Sequence, residues 1–279
     1  MTRVLTRQLS NRISRLSGGA RKLLWLVANG AARDTTPVYV VGSQRSGTHL
    51  LGTCLGKSPE FRYIGEANPA AFVNFSLRDD AVIQQLILDC KYRFLVLRPL
   101  KDSHRVLQLL ALNPASKTIW AYRNYLDRVN SAVRMFKRHP LHVFSELAKG
   151  NRQWQTDGMT PETEEVVKSF NVDELSEHDG AALMWWLRNS LYFSLDLGTN
   201  IRVRLWSYDA FIREPQHELG SILDYLGARY HSFMHADVHA QSIRKDPAPV
   251  LRMDVRDLCE NLYEQLESAR LRSRGSCQV

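Results

Sequence analysis

The stretch Val38-Tyr-Val-Val-Gly42-Ser-Gln-Arg45-Ser46-Gly47-Thr48-His49-Leu50 decides the fold. Residues 38–41 are apolar and mostly β-branched, which predicts a buried parallel strand, and residues 50–55 predict the helix that follows it. Between them, the glycines allow a tight turn at which the free N–H groups of the helix face an anion. The stretch therefore predicts a phosphate-binding loop.

The side chains within the loop restrict what it can bind. Loops that bind nucleoside triphosphates follow the pattern G-x-x-x-x-G-K-[ST], whereas Thr48 stands here in place of that lysine. Arg45 puts the positive charge inside the loop instead. A guanidinium there could hold a 5′-phosphate together with the oxygen that links it to a leaving group.

Strands and helices alternate over the rest of the chain. Further strands are predicted at residues 94–97, 118–122 and 201–205, and further helices at 103–112, 125–136, 181–197, 216–226 and 255–271. This order predicts an α/β fold, a single domain with a central parallel sheet flanked by helices. We assign residues 36–279 to that domain, with a helical or lid insertion at about 139–180.

Composition is that of an ordinary globular protein. The chain has 279 residues, of which 44% are hydrophobic and 24% charged, and its formal net charge is +8. This charge favours an anionic partner, but no motif for DNA or RNA accompanies it, so we predict that nucleic acid is not a partner. The cysteines are Cys54, Cys90, Cys259 and Cys277. Their wide spacing indicates neither a zinc site nor a disulfide framework, which favours a cytoplasmic protein.

Residues 1–35 form a basic amphipathic N-terminal arm. Its cations Arg3, Arg7, Arg12, Arg15, Arg21 and Lys22 all precede Asp34, the first acidic residue, and apolar residues recur beside them at helical spacing. The apolar run at 23–28 is far shorter than the roughly 20 residues that span a bilayer. Our hypothesis is peripheral contact of residues 1–28 with a membrane surface; the alternative is a helix that is frayed or docked on the protein itself.

The loop from Gly42 to Leu51 resembles the 5′-phosphosulfate loop of sulfotransferases that use 3′-phosphoadenosine 5′-phosphosulfate (PAPS). The resemblance implies a sulfotransferase fold of the P-loop nucleotide-kinase-like type. It also implies that PAPS is bound by Gly42, Arg45, Ser46, Gly47 and Thr48. His49 stands where the family usually has threonine or serine, so it either donates from its ring or packs.

Two later segments extend the resemblance, which covers roughly residues 36–266. Residues 113–131 resemble the family's 3′-phosphate segment, in which an arginine ends a strand and a serine follows; here these are Arg123 and Ser131. The turn reads Arg-Asn-Tyr, whereas the family often has Arg-Asp-Pro. Arg244 and Lys245 resemble the basic stretch that closes over the 3′-phosphate. Residues 204–215 resemble a strand, turn and helix that serve as scaffold.

Sulfuryl transfer needs a base for the acceptor's proton and positive charge on the leaving oxygen. Arg45 and Arg98 are the predicted catalytic cations, with Lys101 as the substitute for Arg98, and no metal is required in principle. Glu66 is the predicted base because it resembles the glutamate after the first helix in the carbohydrate and tyrosylprotein branches. His104 is the competing base, by similarity to the cytosolic branch.

These features predict an enzyme that transfers a sulfuryl group from PAPS to an acceptor hydroxyl or amine on a glycan, lipid, peptide or small molecule. The alternatives are a small-molecule kinase and a nucleotide-binding protein without activity. Trp185, Trp186 and Tyr192 are predicted to pack in the core; the alternative is that they line an acceptor pocket or stack on adenine. Trp154, in the insertion, is predicted to contact the acceptor.

Overall fold

A computed structural model describes residues 18–28, 30–238 and 246–275. Its helices and strands follow in this order: α1 (18–28), β1 (Thr36–Gly42), α2 (Thr48–Lys57), β2 (Phe61–Ile64), β3 (Phe72–Val73), β4 (Ser76–Leu77), α3 (Asp80–Leu88), β5 (Phe94–Leu97), α4 (Val106–Ala111), β6 (Lys117–Tyr122), α5 (Tyr125–Phe136), α6 (His139–Ala148), α7 (Pro161–Lys168), α8 (Glu177–Ser194), β7 (Val203–Ser207), α9 (Tyr208–Arg213), α10 (Pro215–Leu226) and α11 (Met253–Gly275). Short 3₁₀ turns join several of them, including Lys101–Arg105 and Trp154–Thr156.

The central sheet has five parallel strands in the order β2-β5-β1-β6-β7. After β1 the chain runs to β2, at one edge of the sheet. After β6 it runs to β7, at the opposite edge. The connections that leave these two adjacent strands therefore diverge, which opens a crevice at their carboxyl ends. The predicted phosphate-binding loop follows β1 and Arg123 follows β6, so both border this crevice.

Alternating side chains of the strands feed two hydrophobic cores. Tyr39, Val41 and Trp120 face one core, which includes residues of α5, α8 and α11. Val38 and Val40 face the other core, which includes residues of α2 and α10. Because the strands are buried on both faces, they read as continuous apolar runs in the sequence. The result is a three-layer α/β/α domain, which confirms the predicted fold class.

Most predicted elements are present, but several short ones were missed. The strand at 94–97 and the helix at 125–136 agree with β5 and α5 at both ends. The missed elements are the edge strand β2, the β3–β4 hairpin and α3. The strand predicted at 201–205 is present but begins two residues later, because β7 covers Val203–Ser207, and it is buried at every residue. The insertion at about 139–180 consists of α6, α7, 3₁₀ turns and the first residues of α8.

Helix α1 is the only part of the N-terminal arm before residue 30 that the structure describes. Residues 1–17 of the predicted arm lie outside the described residues, and so do Arg244, Lys245 and Cys277. Cys54, Cys90 and Cys259 are buried free thiols. Within the described ranges, no helix is both long enough and apolar enough to cross a bilayer.

Candidate active site

A cavity of about 720 Å³ opens at the carboxyl ends of the central strands. Most of the predicted site residues line it: Arg45, Gly47, Thr48, His49, Glu66, Arg98, Lys101, Arg123, Ser131 and Trp154. The sequence placed these residues in five separate segments. The parallel sheet brings the segments together because each follows the end of a strand or packs above it.

Two glycines hold the loop close to its surroundings. Gly42 has φ +121°, and a Cβ there would lie 2.2 Å from the carbonyl oxygen of Ala121 on the neighbouring strand. Gly47 has φ +81°, and its Cβ would lie 2.1 Å from the ring of Tyr208. Both positions therefore require glycine. Ser103 fixes the start of the loop, since its hydroxyl accepts from the Gly42 N–H at 3.1 Å.

The start of α2 fits an anion. No side chain caps this helix at Gly47, and its first turn carries no acidic residue. Helix N–H groups without a side-chain cap and a positive dipole end together attract negative charge. Ser46 is fully buried, and its hydroxyl has no hydrogen-bond partner among the described residues. A buried polar group of this kind costs stability unless a ligand oxygen satisfies it, so the loop fits a bound phosphate.

Arg45 links the two predicted phosphate sites. Its backbone is left-handed, with φ +67°, and its Nε donates to the hydroxyl of Ser131 at 3.0 Å. Non-glycine residues rarely adopt this conformation. Here it directs the guanidinium from the first loop to the helix that carries the second site. The two sites are therefore parts of one cavity rather than separate surface patches.

Arg123 is held from two sides at the end of β6. The indole N–H of Trp185 donates to its carbonyl oxygen at 3.0 Å. Its guanidinium lies 4.5 Å from the ring centre of Tyr208 and 3.9 Å from a carboxylate oxygen of Asp127. Tyr208 belongs to the segment interpreted as scaffold, yet it lines the cavity and stacks on this arginine. Trp185 and Tyr192 lie in the core, as predicted.

Sequence reasoning also missed Arg128, whose guanidinium donates to the backbone of the loop that follows β1. This residue is almost completely buried on α5, and it donates to the carbonyl oxygens of Gln44 at 3.1 Å and Ala181 at 2.7 Å. Burial lowers its pKa to about 10, so it is still charged at neutral pH. Its contacts join α5 to the loop and to α8, which are distant in the sequence, so no local signal pointed to this residue.

Glu66 and Arg98 form an ion pair at the cavity wall. Their closest atoms, Oε2 and Nη2, are 2.8 Å apart, and the other carboxylate oxygen accepts from the Leu100 N–H at 3.3 Å. Burial raises the pKa of Glu66 above the usual glutamate value, and the positive charge of Arg98 opposes part of that rise. Nη1 of Arg98 is also 3.4 Å from the Thr48 hydroxyl. The pair thus connects the candidate base to the loop.

The insertion contributes an aromatic wall. The ring centre of Trp154 lies 5.6 Å from Nζ of Lys101 and 5.5 Å from the guanidinium of Arg188. Arg188 is buried on α8 and donates to the Leu100 carbonyl at 3.1 Å, which fastens this region to the end of β5. Phe75, in the β3–β4 hairpin, lines the same cavity. An acceptor would meet these rings next to Glu66.

Some predicted residues have other contacts. His104 does not line the cavity; its Nδ1 lies 3.2 Å from the Lys101 carbonyl, and burial lowers its pKa. Asn130, next to Ser131, donates to the Pro247 carbonyl at 2.9 Å. His49 lines the cavity and its Nδ1 lies 3.3 Å from the Tyr63 hydroxyl. The geometry therefore favours Glu66 over His104, while the role of each stays a prediction.

The fold and the cavity define a class of protein. The predicted phosphate-binding loop follows the central strand β1, and the predicted second anion site follows β6, its neighbour in the sheet. In α/β proteins, such a topological switch point is where anionic nucleotides commonly bind.

Comparison with known proteins narrows this class at the level of the fold. No family model matches the chain, and no curated protein matches it. Among solved structures, a sulfotransferase from Alicyclobacillus acidocaldarius aligns with a TM-score of 0.51 and 14% identity, over 86% of this chain and 95% of that one. The chain has the sulfotransferase fold.

Two further solved structures resemble the chain less closely. The sulfotransferase domain of the Synechococcus PCC 7002 olefin synthase has a TM-score of 0.47 and 14% identity, over 83% of this chain and 96% of that chain. Mouse sulfotransferase SULT7A1 complexed with PAP has a TM-score of 0.40 and 14% identity, over 90% of this chain and 89% of that chain.

Proposed function

We propose that this protein is a sulfotransferase that moves a sulfuryl group from PAPS to an acceptor hydroxyl or amine. One observation carries the proposal. The same cavity is lined by Arg45, Gly47 and Thr48 of the loop, by the cationic site of Arg123 and Ser131, and by the pair formed by Glu66 and Arg98. A bisphosphorylated donor and a base for the acceptor fit these three parts.

The residues divide the chemistry between them. PAPS, when bound, supplies the sulfuryl group and a bisphosphate leaving group. The start of α2 and Arg45 would hold the 5′-phosphate, and Arg123 with Ser131 would hold the 3′-phosphate. Glu66 would accept the proton of the acceptor, and a raised pKa suits a base that works near neutral pH.

Positive charge is needed where the donor bond breaks. Arg45 and Arg98 would stabilise the negative charge that develops on the leaving oxygen. We expect transfer without a metal, because the sulfuryl group carries less charge than the phosphoryl group of kinase reactions. Thr48, at the position of the kinase lysine, supports sulfuryl over phosphoryl transfer.

The first test separates binding from turnover. Calorimetry with adenosine 3′,5′-bisphosphate should show binding, and an Arg123→Ala variant should bind at least about tenfold more weakly because a charged hydrogen bond is lost. Arg134→Ala is the matched control, since Arg134 lies on α5, the helix that follows Arg123 and carries Ser131, but forms an exposed ion pair with Asp246. Equal affinities in the two variants would contradict the proposed 3′-phosphate site.

The second test measures transfer. Radiolabelled PAPS incubated with fractionated host extract should yield a labelled product, whereas ATP with Mg²⁺ should yield none. Binding of the bisphosphate without any labelled product would support a nucleotide-binding protein without activity. Transfer from ATP would support a kinase and overturn the proposal.

A further inference from the structure

The β3–β4 hairpin turns through two residues, Asn74 and Phe75. Val73 pairs with Ser76 across the strands, so these two residues form the whole turn. Both have a left-handed backbone, with φ +50° at Asn74 and +65° at Phe75. A two-residue turn with positive φ at both positions is of type I′, which strongly favours the sequence Asn-Gly. Phenylalanine therefore stands where glycine is expected.

Folding gives no reason for an aromatic ring at this position. A left-handed backbone strains a bulky residue, and Phe75 is 57% exposed, so little of its surface is buried in return. The residue does line the cavity of the candidate active site. Strained residues cluster at ligand-binding sites, where the strain serves the contact with the ligand. The position of Phe75 therefore indicates a ligand contact.

Two hydrogen bonds hold the hairpin at the cavity. Nζ of Lys101 donates to the Asn74 carbonyl at 2.7 Å, which fixes the turn. The Leu77 N–H donates to a carboxylate oxygen of Asp102 at 2.9 Å, which fixes strand β4. Lys101 and Asp102 both belong to the 3₁₀ turn that follows β5. The position of the Phe75 ring is therefore set by the end of a central strand.

The same segment connects this ring to Glu66 and Trp154. Leu100, directly before Lys101, donates its N–H to Glu66 at 3.3 Å. Nζ of Lys101 lies 5.9 Å from the ring centre of Phe75 and 5.6 Å from that of Trp154. One ammonium thus lies near both rings, and the neighbouring residue holds the candidate base. A ligand between the two rings would have its reacting group near Glu66.

The end of α5 makes this part of the cavity more apolar. Met135 and Phe136 line it, and Met135 is 63% exposed. Besides Lys101, the described polar side chains near these rings are His139 and Gln155, and their Nε2 atoms lie 2.8 Å from each other. The many hydroxyls of a glycan need a larger number of hydrogen-bonding side chains, whereas a flat apolar molecule needs aromatic and aliphatic surface.

We propose that Phe75 and Trp154 bind the body of the acceptor between them, and that the acceptor is an alcohol or amine carried on a flat apolar ring system. This inference rests on the proposed function and deepens it by naming the acceptor class. In the reaction, the acceptor oxygen or nitrogen bonds to sulfur, its proton goes to Glu66, and the bond from sulfur to the bisphosphate breaks. Adenosine 3′,5′-bisphosphate is then the leaving group.

The test compares two acceptors and a glycine variant. 2-Naphthol carries one hydroxyl on a flat apolar body, and maltotriose is the glycan probe. With radiolabelled PAPS, 2-naphthol should be the better acceptor, and its fluorescence should report binding to protein saturated with adenosine 3′,5′-bisphosphate. Phe75→Gly should weaken this binding and raise the KM for 2-naphthol by at least about tenfold. Its thermal midpoint should be unchanged or higher, because glycine fits the turn.

Asp196→Gly is the matched control. Asp196 is exposed, has φ +48° and does not line the cavity, so glycine there relieves the same backbone conformation away from the site. Its KM for 2-naphthol should equal that of the wild type. Phe75→Tyr keeps a ring and should recover most of the affinity that glycine loses. If Phe75→Gly does not fold, Trp154→Leu tests the opposite ring, with the same expected loss.

Three results would overturn the proposal. One is wild-type protein that binds adenosine 3′,5′-bisphosphate but not 2-naphthol. Another is a Phe75→Gly variant that binds 2-naphthol as tightly as Asp196→Gly does. The third is maltotriose as the better acceptor, which would leave sulfuryl transfer itself intact. Failure of the proposed function looks different: protein that binds 2-naphthol through Phe75 but transfers no label would contradict the activity and support the site between the rings.

Discussion

Replacing Gly47 by alanine should destabilise the protein and weaken nucleotide binding at the same time. The added Cβ would lie 2.1, 2.9 and 3.1 Å from three ring atoms of Tyr208. The ring cannot simply move aside, because it also lies 4.5 Å from the guanidinium of Arg123 and 6.4 Å from the ring of Trp206. The substitution therefore acts on both predicted phosphate sites through a single aromatic ring.

Two costs add up in this variant. A left-handed backbone costs alanine roughly 1–2 kcal/mol, and forcing an extra methyl group into a packed site costs roughly 1–3 kcal/mol. The free energy of unfolding should fall by about 2–5 kcal/mol, which corresponds to a thermal midpoint lower by roughly 4–10 °C in a domain of this size. Displacement of Arg123 should weaken binding of adenosine 3′,5′-bisphosphate by at least about tenfold.

Gly220→Ala makes the same chemical change where it should do no harm. Gly220 lies within α10, and an added Cβ meets no atom within 4 Å. Alanine there should stabilise the protein by up to about 1 kcal/mol, because it favours the helix. Urea unfolding and calorimetry on both variants test the reasoning. If Gly47→Ala unfolds at the same urea concentration as Gly220→Ala and binds the nucleotide equally well, the argument from Tyr208 is refuted.

Three further outcomes are expected at the site. Glu66→Gln should reduce kcat by roughly 10²–10⁴-fold in a sulfuryl-transfer assay, while calorimetry shows nearly unchanged nucleotide affinity. Glutamine keeps the size of the side chain and an oxygen that can accept from Arg98, but it cannot take the acceptor's proton. The wild-type enzyme should be active at high pH and lose activity as the pH falls through the pKa of Glu66, which burial raises above 4.5. In Arg98→Gln this loss should occur at a higher pH, because burial still raises the pKa of Glu66 and the positive charge that opposes the rise is gone. Arg128→Met should lower stability in urea by about 2–5 kcal/mol, since the carbonyls of Gln44 and Ala181 lose their buried donor; a variant as stable as wild type would contradict the support assigned to this arginine.

The sequence was most informative where local chemistry dictates local structure. Apolar runs between turn signals predicted the buried strands, and helical periodicity predicted both the first and the last residue of α5. Short edge elements such as β2 lack such a signal, because four residues with a half-exposed pattern resemble a loop. Packing decides these elements, and a single sequence does not display packing.

The residues of the candidate site likewise fall into those that a local sequence pattern indicates and those that only packing brings there. Arg45, Arg123 and Ser131 could be found because a loop and a strand end impose recognisable spacing. Tyr208 and Arg128 could not, because their contacts with the site depend on how distant elements pack. Glu66 and His104 are competing predictions of the base, both drawn from the family resemblance. Of the two, only Glu66 lines the cavity, and the role of each stays a prediction.

Helix α8 supports both the predicted donor region and the predicted acceptor region of the cavity. On this helix, the indole N–H of Trp185 donates to the Arg123 carbonyl, and the Ala181 carbonyl accepts from Arg128. Arg188 donates to the Leu100 carbonyl and lies over the ring of Trp154. Replacing α8 by the corresponding helix of another protein would therefore disturb the predicted donor and acceptor regions together. Grafting the β3–β4 hairpin alone would leave these three anchors untouched, which makes the hairpin the safer place to engineer a new acceptor preference.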